Sequence, residues 1–510
     1  MTRFRYLPLL AGLCLTQPAG GVPRDSTDIA HGVREHASPA VRFVASVYEN
    51  PSARPFAFGT SLTTLSLSGE YENLDEAAVP QKGSGLRTAG FQADSYLHLN
   101  GRSTAWGGAG YRFGRTMNVV WNESADYDLL YPYVMADSVG GDLSMERYSF
   151  RGGYARTTDR LSWGICADYR AQLEYRRKDP RPRNIVSDMK LSGGFSLALG
   201  RRYLLGASVS GRIYSQHNNV KIFSALGGPK IYQMLGLGMY STRFSDGQTD
   251  LHHKGGGYAA SIDFYSRDRQ GLSLSVGYED FFARRIMTGR NNLPLTRLDE
   301  ATLRGEAAWR QRNGRHDWGV KLALSRSGRT GTEFVYGDGS GASNYPKIGE
   351  VDQFRNRRTA LNVSGLWGYE APRRWDLYIE PRGGLFSTRA SYLSPSRRFE
   401  FVHAGGGAAF TAVKTAGRSL LHFSASADFR SGSDTELRTT GLDEESFAGQ
   451  MLRQAFDNLA SSASLYGIGV SWSYSLPRGM ALLLSGEGRY GIYANGNRSR
   501  AAVLSCGLGF

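Results

Sequence analysis

The sequence predicts an all-β protein, a transmembrane antiparallel up-and-down β-barrel of about eighteen strands, with roughly sixteen or fourteen strands as alternatives. Three features favour this class. Many segments alternate between apolar and polar residues with a period of two, tight turns alternate with long connections, and the final segment alternates to the end of the sequence. Only 41% of the 510 residues are hydrophobic, and no long apolar run predicts a membrane helix. A barrel tolerates this composition because half of its strand residues face inward.

The final segment, residues 499–510, places small or apolar side chains at every second position: Ala502, Leu504, Cys506 and Leu508. A strand between lipid and lumen alternates in this way because successive side chains point to opposite faces. The terminal Phe510 resembles the C-terminal signature of bacterial outer-membrane barrels, which the barrel-assembly machinery recognises. We therefore expect this machinery as a partner through Phe510. An ordinary buried terminal strand is the alternative.

The first residues predict export. Arg3 and Arg5 precede a short apolar run at 7–15, and small residues follow at 17–21, so we assign residues 1–21 to a signal peptide. Residues 22–60 are irregular and predict a periplasmic lead-in or a segment in the barrel mouth, with the barrel itself over residues 61–510. The formal net charge of +15 comes from scattered basic residues, which does not favour a nucleic-acid partner.

Tight turns and long connections alternate after residue 61. The tight turns contain the Gly, Asn, Asp and Pro residues that hairpins require, at 100–102, 158–160, 200–202, 267–269, 313–315, 372–374 and 477–479. The long connections are predicted at 72–87, 122–143, 176–187, 216–254, 286–298, 337–354 and 431–460. This layout is typical of a barrel with short periplasmic turns and long extracellular loops.

The alternation also predicts which side chains face outward. In the two clearest segments, residues 161–173 and 461–476, the outward face carries Leu161, Trp163, Ile165, Tyr169, Tyr466, Ile468 and Val470. The inward positions of the whole barrel include charges of both signs: Glu70, Asp94, Arg112, Arg147, Arg151, Asp168, Arg170, Glu174, Lys190, Arg212, Asp263, Glu306, Arg310, Lys321, Asp376, Glu380, Arg382, Asp428, Arg430, Glu487 and Arg489. These charges either cross-link neighbouring strands or line a polar pathway.

One predicted loop, residues 121–143, is both acidic and aromatic. A freely solvated loop would leave its large apolar side chains in water, which is unfavourable. We therefore expect this loop to fold over or into the barrel mouth, with its carboxylates meeting basic lumen or loop residues such as Arg147 and Arg151. The candidate lumen and gating residues are Trp121, Asp126, Asp128, Tyr131, Tyr133, Asp137, Arg147 and Arg151.

Short strings in and after this loop carry a family resemblance. The strings are WNES, DYDLLYPY and ADS followed by GGD, with a Asp-Pro-Arg-Pro turn at 179–182. They are similar to strings of an uncharacterised outer-membrane β-barrel family, a domain of unknown function of Bacteroides-like bacteria. The resemblance implies a barrel fold and a location in the bacterial outer membrane. It implies no functional residues.

Metal binding and catalysis find little support in the sequence. The acidic loop lacks the ligand spacing of a known calcium loop, and the adjacent His252 and His253 would point opposite ways on an extended segment. Motifs of hydrolases, metalloproteases and phosphate-binding loops do not occur in a credible context. We therefore expect no catalytic residues, no metal and no cofactor.

The expected function is passage of an unidentified small solute through the barrel, as a channel or an accessory to uptake. Two alternatives remain: a structural or assembly partner that acts through its loops, and a hydrolase at the barrel rim. Membrane lipid and lipopolysaccharide are expected to surround the protein. Basic residues near 176–183 are candidates to meet lipopolysaccharide phosphates, with a solvated basic loop as the alternative.

Overall fold

The computed structural model describes residues 26–246, 249–339, 345–371 and 375–510. The predicted signal peptide, residues 1–21, and the predicted turn at 372–374 lie outside the described residues. In the described part of the chain, no helix is long and apolar enough to cross a lipid bilayer.

The dominant element is a closed antiparallel sheet of 18 strands, which confirms the predicted fold class and strand number. In chain order the strands are β1 (Leu62–Leu74), β2 (Gly85–Asn100), β3 (Ser103–Val119), β4 (Met135–Ala136), β5 (Gly141–Thr157), β6 (Leu161–Tyr175), β7 (Arg181–Leu199), β8 (Tyr203–Lys221), β9 (Ile231–Gly236), β10 (Met239–Asp246), β11 (Thr249–Ser266), β12 (Gly271–Met287), β13 (Leu293–Asn313), β14 (His316–Tyr336), β15 (Lys347–Tyr369), β16 (Trp375–Tyr392), β17 (Arg397–Ala416), β18 (Ser419–Thr439), β19 (Ala463–Leu476), β20 (Met480–Tyr493) and β21 (Arg498–Gly509).

The barrel closes where β1 pairs with β21, with Leu65 opposite Leu508. Three strands do not belong to the wall: β4, β9 and β10 form a separate small sheet in the order β10-β9-β4. The described helices are α1 (Ser26–Ala37), α2 (Pro39–Phe43), α3 (Tyr127–Leu130) and α4 (Phe447–Ala460). All four helices lie in connections or before β1, so the wall itself consists only of strands.

The outer face of the wall is apolar, as the alternation predicts. Ile165, Ile468 and Leu504 are 58%, 71% and 68% exposed, whereas Ser162 on the other face of β6 is fully buried. An apolar belt of this extent is incompatible with a water-facing exterior, because soluble proteins rarely expose large continuous apolar patches. The belt therefore faces membrane lipid, and the predicted outward and inward faces of β6, β19 and β21 are correct.

Several predicted long connections differ from the structure. The connections at 176–187 and 286–298 are short, because β7 begins at Arg181 and β13 at Leu293. The connection at 216–254 contains β9 and β10, and the connection at 431–460 contains α4. Strands β13, β14 and β15 are 21, 21 and 23 residues long, about twice the roughly 9–11 residues of a membrane crossing. The wall thus continues beyond the bilayer.

Two groups of residues fill the interior. We call residues 26–60, which contain α1 and α2, the plug. Its apolar side chains, including Phe43, Val47 and Tyr48, pack on inward residues near the short turns, such as Tyr96 and Leu366. We call residues 120–140, 231–246 and 440–462 the cap, which packs on inward residues of β7, β8, β12 and β13 and of β15 to β17 near the long loops. The barrel therefore contains protein at both ends.

Candidate functional site

The deep part of the plug is held by a buried hydrogen-bond network. The Asn50 Nδ2 amide donates to Asp263 at 2.8 Å, and its Oδ1 accepts from the Ser52 backbone N–H at 3.0 Å. The hydroxyls of Ser52 and Ser196 lie 2.6 Å apart, and the Tyr48 hydroxyl donates to the Ser266 carbonyl at 2.8 Å. These bonds satisfy polar groups that would otherwise be buried without a partner, and they fix the plug on β7 and β11.

Glycines on the inner wall make room for this segment. A Cβ on Gly194 would lie 2.1 Å from the Asn50 Oδ1, and a Cβ on Gly164 would lie 2.4 Å from the Pro51 carbonyl oxygen. Both distances are far below van der Waals contact, so only glycine permits the backbone of the wall to approach the plug so closely. The wall is therefore shaped to receive residues 50–51.

A second attachment of the plug lies at the short-turn end of the barrel. Glu35 of α1 accepts hydrogen bonds from the Arg269 guanidinium at 2.5 Å, the Thr60 hydroxyl at 2.7 Å and the Gly59 backbone N–H at 2.8 Å. Burial alone would raise the pKa of Glu35, but these hydrogen bonds from Thr60, Gly59 and Arg269 lower its pKa to about 2. Glu35 is therefore held in its charged form by Thr60 and Gly59, which precede β1, and by Arg269 in the turn that follows β11.

The acidic aromatic loop forms the centre of the cap. Trp121 is 4% exposed and Tyr133 is 2% exposed, and the Trp121 ring lies 4.7 Å from Tyr232 and 5.1 Å from Phe447 between ring centroids. The Tyr131 ring packs edge-on against Phe354 at 5.5 Å. Trp121, Tyr131 and Tyr133 thus join the three cap segments to each other and to the wall.

The loop carboxylates bind other cations than the expected Arg147 and Arg151. Asp126 forms two hydrogen bonds with Arg170, at 2.8 and 2.6 Å. Asp137 accepts from Arg176 at 2.7 Å, and Glu123 also pairs with Arg176; Asp128 pairs with Lys82 at 2.7 Å.

Arg147 and Arg151 are bound by their cross-strand neighbours instead. Arg147 of β5 donates to Gln172 at 2.8 Å, and Arg151 pairs with Asp168. Each of these partners lies directly opposite its arginine in the pairing of β5 with β6. Because the sheet register holds these partners in place, Arg147 and Arg151 do not bind the loop carboxylates, and another of the predicted inward arginines, Arg170, binds Asp126 instead.

Three further arginines of the wall, which the sequence analysis missed, bind the backbone of the cap. Arg285 donates to the Met234 carbonyl at 2.9 Å, Arg329 to the Tyr131 carbonyl at 2.6 Å, and Arg397 to the Leu237 carbonyl at 2.8 Å. Loop carbonyls inside a barrel need donors, and a guanidinium supplies five N–H groups. No motif marks these arginines in the sequence.

A polar path follows one wall of the lumen from the cap to the plug. An outer cavity of about 620 Å³ and a middle cavity of about 500 Å³ share Arg170, Asp188 and Arg212 in their linings. An inner cavity of about 490 Å³, lined also by Asn50 of the plug, shares Lys190 with the middle cavity. The three cavities therefore adjoin one another along β5 to β8 and the neighbouring strands.

The charges along this path occur mainly as cross-strand ion pairs. Asp188 accepts from Arg212 at 2.8 Å and from Arg170 at 3.1 Å. Similar pairs lie elsewhere in the lumen, such as Arg112 with Glu70 at 3.0 Å. Lys190 has no ion pair among the described residues, although it borders both the middle and inner cavities. The lumen thus contains both of the features weighed from the sequence, charge ladders and a polar path.

The adjacent histidines lie on opposite faces of β11, as predicted. The His252 ring stacks on His217 with centroids 3.8 Å apart, whereas the His253 Nε2 lies 2.9 Å from the Tyr133 carbonyl oxygen. In the part of the chain that the structure describes, no group of three or more His, Cys, Asp or Glu side chains is arranged to hold a metal ion.

A closed barrel with an apolar belt and a polar interior satisfies every backbone group within the bilayer, and this architecture defines an outer-membrane β-barrel protein surrounded by the lipid of that membrane. Residues 51–510 match the family described as Family of unknown function (DUF6850), and the chain belongs to that family. The comparison with curated proteins gives no match.

Solved structures with a related arrangement of strands include the following three. BauA, the ferric preacinetobactin receptor from Acinetobacter baumannii, aligns with a TM-score of 0.38 and 10% identity over 88% of this chain and 79% of its own. The ferric citrate transporter FecA in its unliganded form aligns with a TM-score of 0.38 and 11% identity, over 88% and 78%. The FpvAI–pyocin S2 complex aligns with a TM-score of 0.43 and 8% identity, over 88% and 70%.

Proposed function

We propose that the protein transports a small polar solute across the outer membrane along the polar path. The observation that supports this function is the continuity of the three cavities, which adjoin one another from the cap to the plug. Movement of a solute, not a chemical reaction, is the proposed activity.

The lining of the path defines the class of solute. Paired charges such as Arg151 with Asp168 keep the wall close to neutral while presenting donors and acceptors to the path. Lys190 adds a cation and Asp94 adds a carboxylate, neither of which has an ion pair among the described residues. A small solute rich in hydrogen-bonding groups and without net charge, such as a zwitterion, matches this lining.

The plug closes the inner end of the path. Ser46, Glu49, Asn50 and Arg54 of the plug line the inner cavity together with the wall. The described part of the plug is connected to the wall strands through the chain just before β1. A movement of residues 43–57 away from the wall would therefore open this end and leave the strand pairing of the barrel intact. Passage therefore requires displacement of the plug.

A disulfide that locks the plug tests this function. In a background with Cys166→Ser and Cys506→Ser, the pair Ser52→Cys and Ser196→Cys replaces two hydroxyls that lie 2.6 Å apart and ties the plug to β7. The measurement is swelling of liposomes that contain the purified protein, with glycine as the solute. We expect swelling in reductant and none after oxidation.

The matched control places the disulfide inside the wall. Ser485→Cys and Ser505→Cys replace hydroxyls of β20 and β21 that also lie 2.6 Å apart, so oxidation leaves the plug free. The control protein should allow swelling in both redox states. Equal swelling of the plug-locked protein before and after oxidation would show that the solute does not pass the plug, and absence of swelling in every reduced sample would refute passive transport.

A further inference from the structure

A second type of cavity lies on the opposite wall from the middle cavity of the polar path, between the cap and strands β14 to β17. Its volume is about 290 Å³, and most of its lining is apolar. The main apolar contributors are Tyr127, Tyr131, Phe386, Phe399, Leu452 and Leu459. We call it the apolar cavity. Its volume is near the lower end of the roughly 300–1,000 Å³ of small-molecule sites in proteins.

Phe386 shows that this cavity leaves apolar surface uncovered inside the barrel. Its neighbours on β16, Thr388 and Ala390, are buried and share its inward face, yet the Phe386 side chain is 38% exposed. Exposure of a phenyl ring to water in the lumen is unfavourable, whereas exposure to lipid would not be. An apolar group in the cavity would cover it.

One end of the apolar cavity carries excess positive charge. Arg329 and Arg358 both line the cavity, and both pair with the single carboxylate of Glu300. The donors of Arg329 are otherwise used by the Asp128 and Tyr131 carbonyls at 2.9 and 2.6 Å.

Arg358 has hydrogen-bond donors that no described residue uses. Its guanidinium reaches Glu300 through Nη2 at 3.2 Å, and its Nε and Nη1 have no hydrogen-bond partner among the described residues. The side chain is 37% exposed. Lys82 and Asp128, which also line the cavity, form a pair at 2.7 Å and neutralise each other. The unmatched charge is therefore the positive one beside Arg358.

We propose that the apolar cavity binds an amphiphile with a hydrocarbon body and a single carboxylate, of about the size of decanoate. The carboxylate accepts hydrogen bonds from Arg358, and the hydrocarbon covers Phe386 and packs on Leu452 and Leu459 of α4. The wall separates the cavity from the bilayer, and its linings meet the outer cavity at Gln81, Lys82, Tyr127 and Asp128, so the ligand enters from the aqueous side. This site goes beyond the proposed solute path and does not depend on displacement of the plug.

Photolabelling of the full chain in lipid nanodiscs tests the site. The probe is decanoate with a diazirine group at its apolar end, and adducts are located by peptide mass spectrometry. We expect adducts on α4 and on β17 near Phe399, displaced by unlabelled decanoate but displaced about tenfold less well by decanol or decylamine, which lack the carboxylate. Adducts confined to the outer faces of the wall, or equal displacement by decanol, would overturn the proposal.

Two pairs of variants separate the site from general partition into the membrane. Arg358→Gln should weaken displacement by decanoate about tenfold, whereas Arg357→Gln, on the opposite face of β15, should leave it unchanged. Leu452→Trp should fill the cavity and abolish labelling, whereas Gln450→Trp on the exposed side of α4 should not. Folding of each variant is checked by its heat-modifiable mobility. A folded Arg358→Gln protein that binds like the wild type would contradict the assignment, while the plug-lock experiment is unaffected by either result.

Discussion

The plug and the cap close the two ends of one barrel, but different forces hold them. The deep part of the plug packs apolar side chains on the wall and forms hydrogen bonds in which the plug group is uncharged, such as Asn50 with Asp263 and Tyr48 with the Ser266 carbonyl. The cap also packs apolar side chains on the wall, but it adds charged contacts in which arginines of the wall bind carboxylates and carbonyls of the loops.

Their connections to the wall differ as well. The described plug joins the barrel through the chain just before β1, whereas each cap segment is joined to strands at both of its ends. Displacement of residues 43–57 would leave every wall strand in place, whereas displacement of a cap segment would pull on a strand at each of its ends. We infer that the plug is the element that moves and that the cap is a fixed structure that shapes the entrance.

Among the changes that test this comparison, deletion of residues 26–58 should have the largest effect, which is opening of the channel. An 18-stranded barrel without its plug leaves an aqueous channel, because its interior is too wide for wall side chains to fill. We expect steady open-channel steps in planar bilayers, where the full chain is mostly closed. Deletion of residues 26–37 alone is the control, since residues 43–57 stay in place and should keep the channel closed. Closed behaviour of the longer deletion would show that the cap, not the plug, blocks the lumen.

Arg176 offers a test of the charged contacts that hold the cap. Its side chain is 2% exposed and binds Glu123 and Asp137, whose side chains are both 0% exposed. Arg176→Met would leave two buried carboxylates without their cation, a loss of about 3–5 kcal/mol. We expect rapid proteolysis of residues 120–140 in reconstituted protein. The control, Arg151→Met, breaks a pair whose side chains are 52% and 31% exposed and should cost less than about 1 kcal/mol. Equal protection in both variants would mean that buried charge does not hold the cap.

The sequence predicted the wall far better than the contents of the lumen. Alternation identifies a strand and its two faces, as at Ile165 and Ile468, because successive side chains of a strand point to opposite faces of the sheet. The aromatic loop was expected to enter the barrel from its composition, but its partner Arg170 lies on the next strand beyond the expected arginines on β5. Choosing between inward arginines requires the register and the height of each strand, which alternation does not supply.

The plug shows a second limit of prediction from the sequence. Its apolar residues have no single period, because they contact inward positions on strands all around the barrel, from Tyr96 of β2 to Leu420 of β18. The glycines that receive it, Gly164 and Gly194, look like any of the 64 glycines in the chain. Only the packed structure distinguishes them, so irregular sequence before a barrel does not by itself reveal an occupant of the lumen.

The smallest expected effect is a dependence of plug attachment on pH. The folded protein lowers the pKa of Glu35 to about 2 from an ordinary value of 4.5, because the hydrogen bonds from Thr60, Gly59 and Arg269 outweigh the opposing effect of burial. A lowered folded pKa contributes stability that is present above 4.5 and is lost as the pH falls from there towards 2. Intrinsic amide exchange is itself much slower at pH 3 than at pH 6, so the comparison uses protection factors, in which the observed rate is corrected for the intrinsic rate. We expect lower protection factors in α1 at pH 3 than at pH 6. Glu35→Gln should remove most of this difference, because the amide does not titrate, while Glu49→Gln, an exposed residue of the same plug, should retain it. Identical pH dependence in the wild type and in Glu35→Gln would show that another group holds α1, and attachment of the plug at this turn would then not depend on the charge of Glu35.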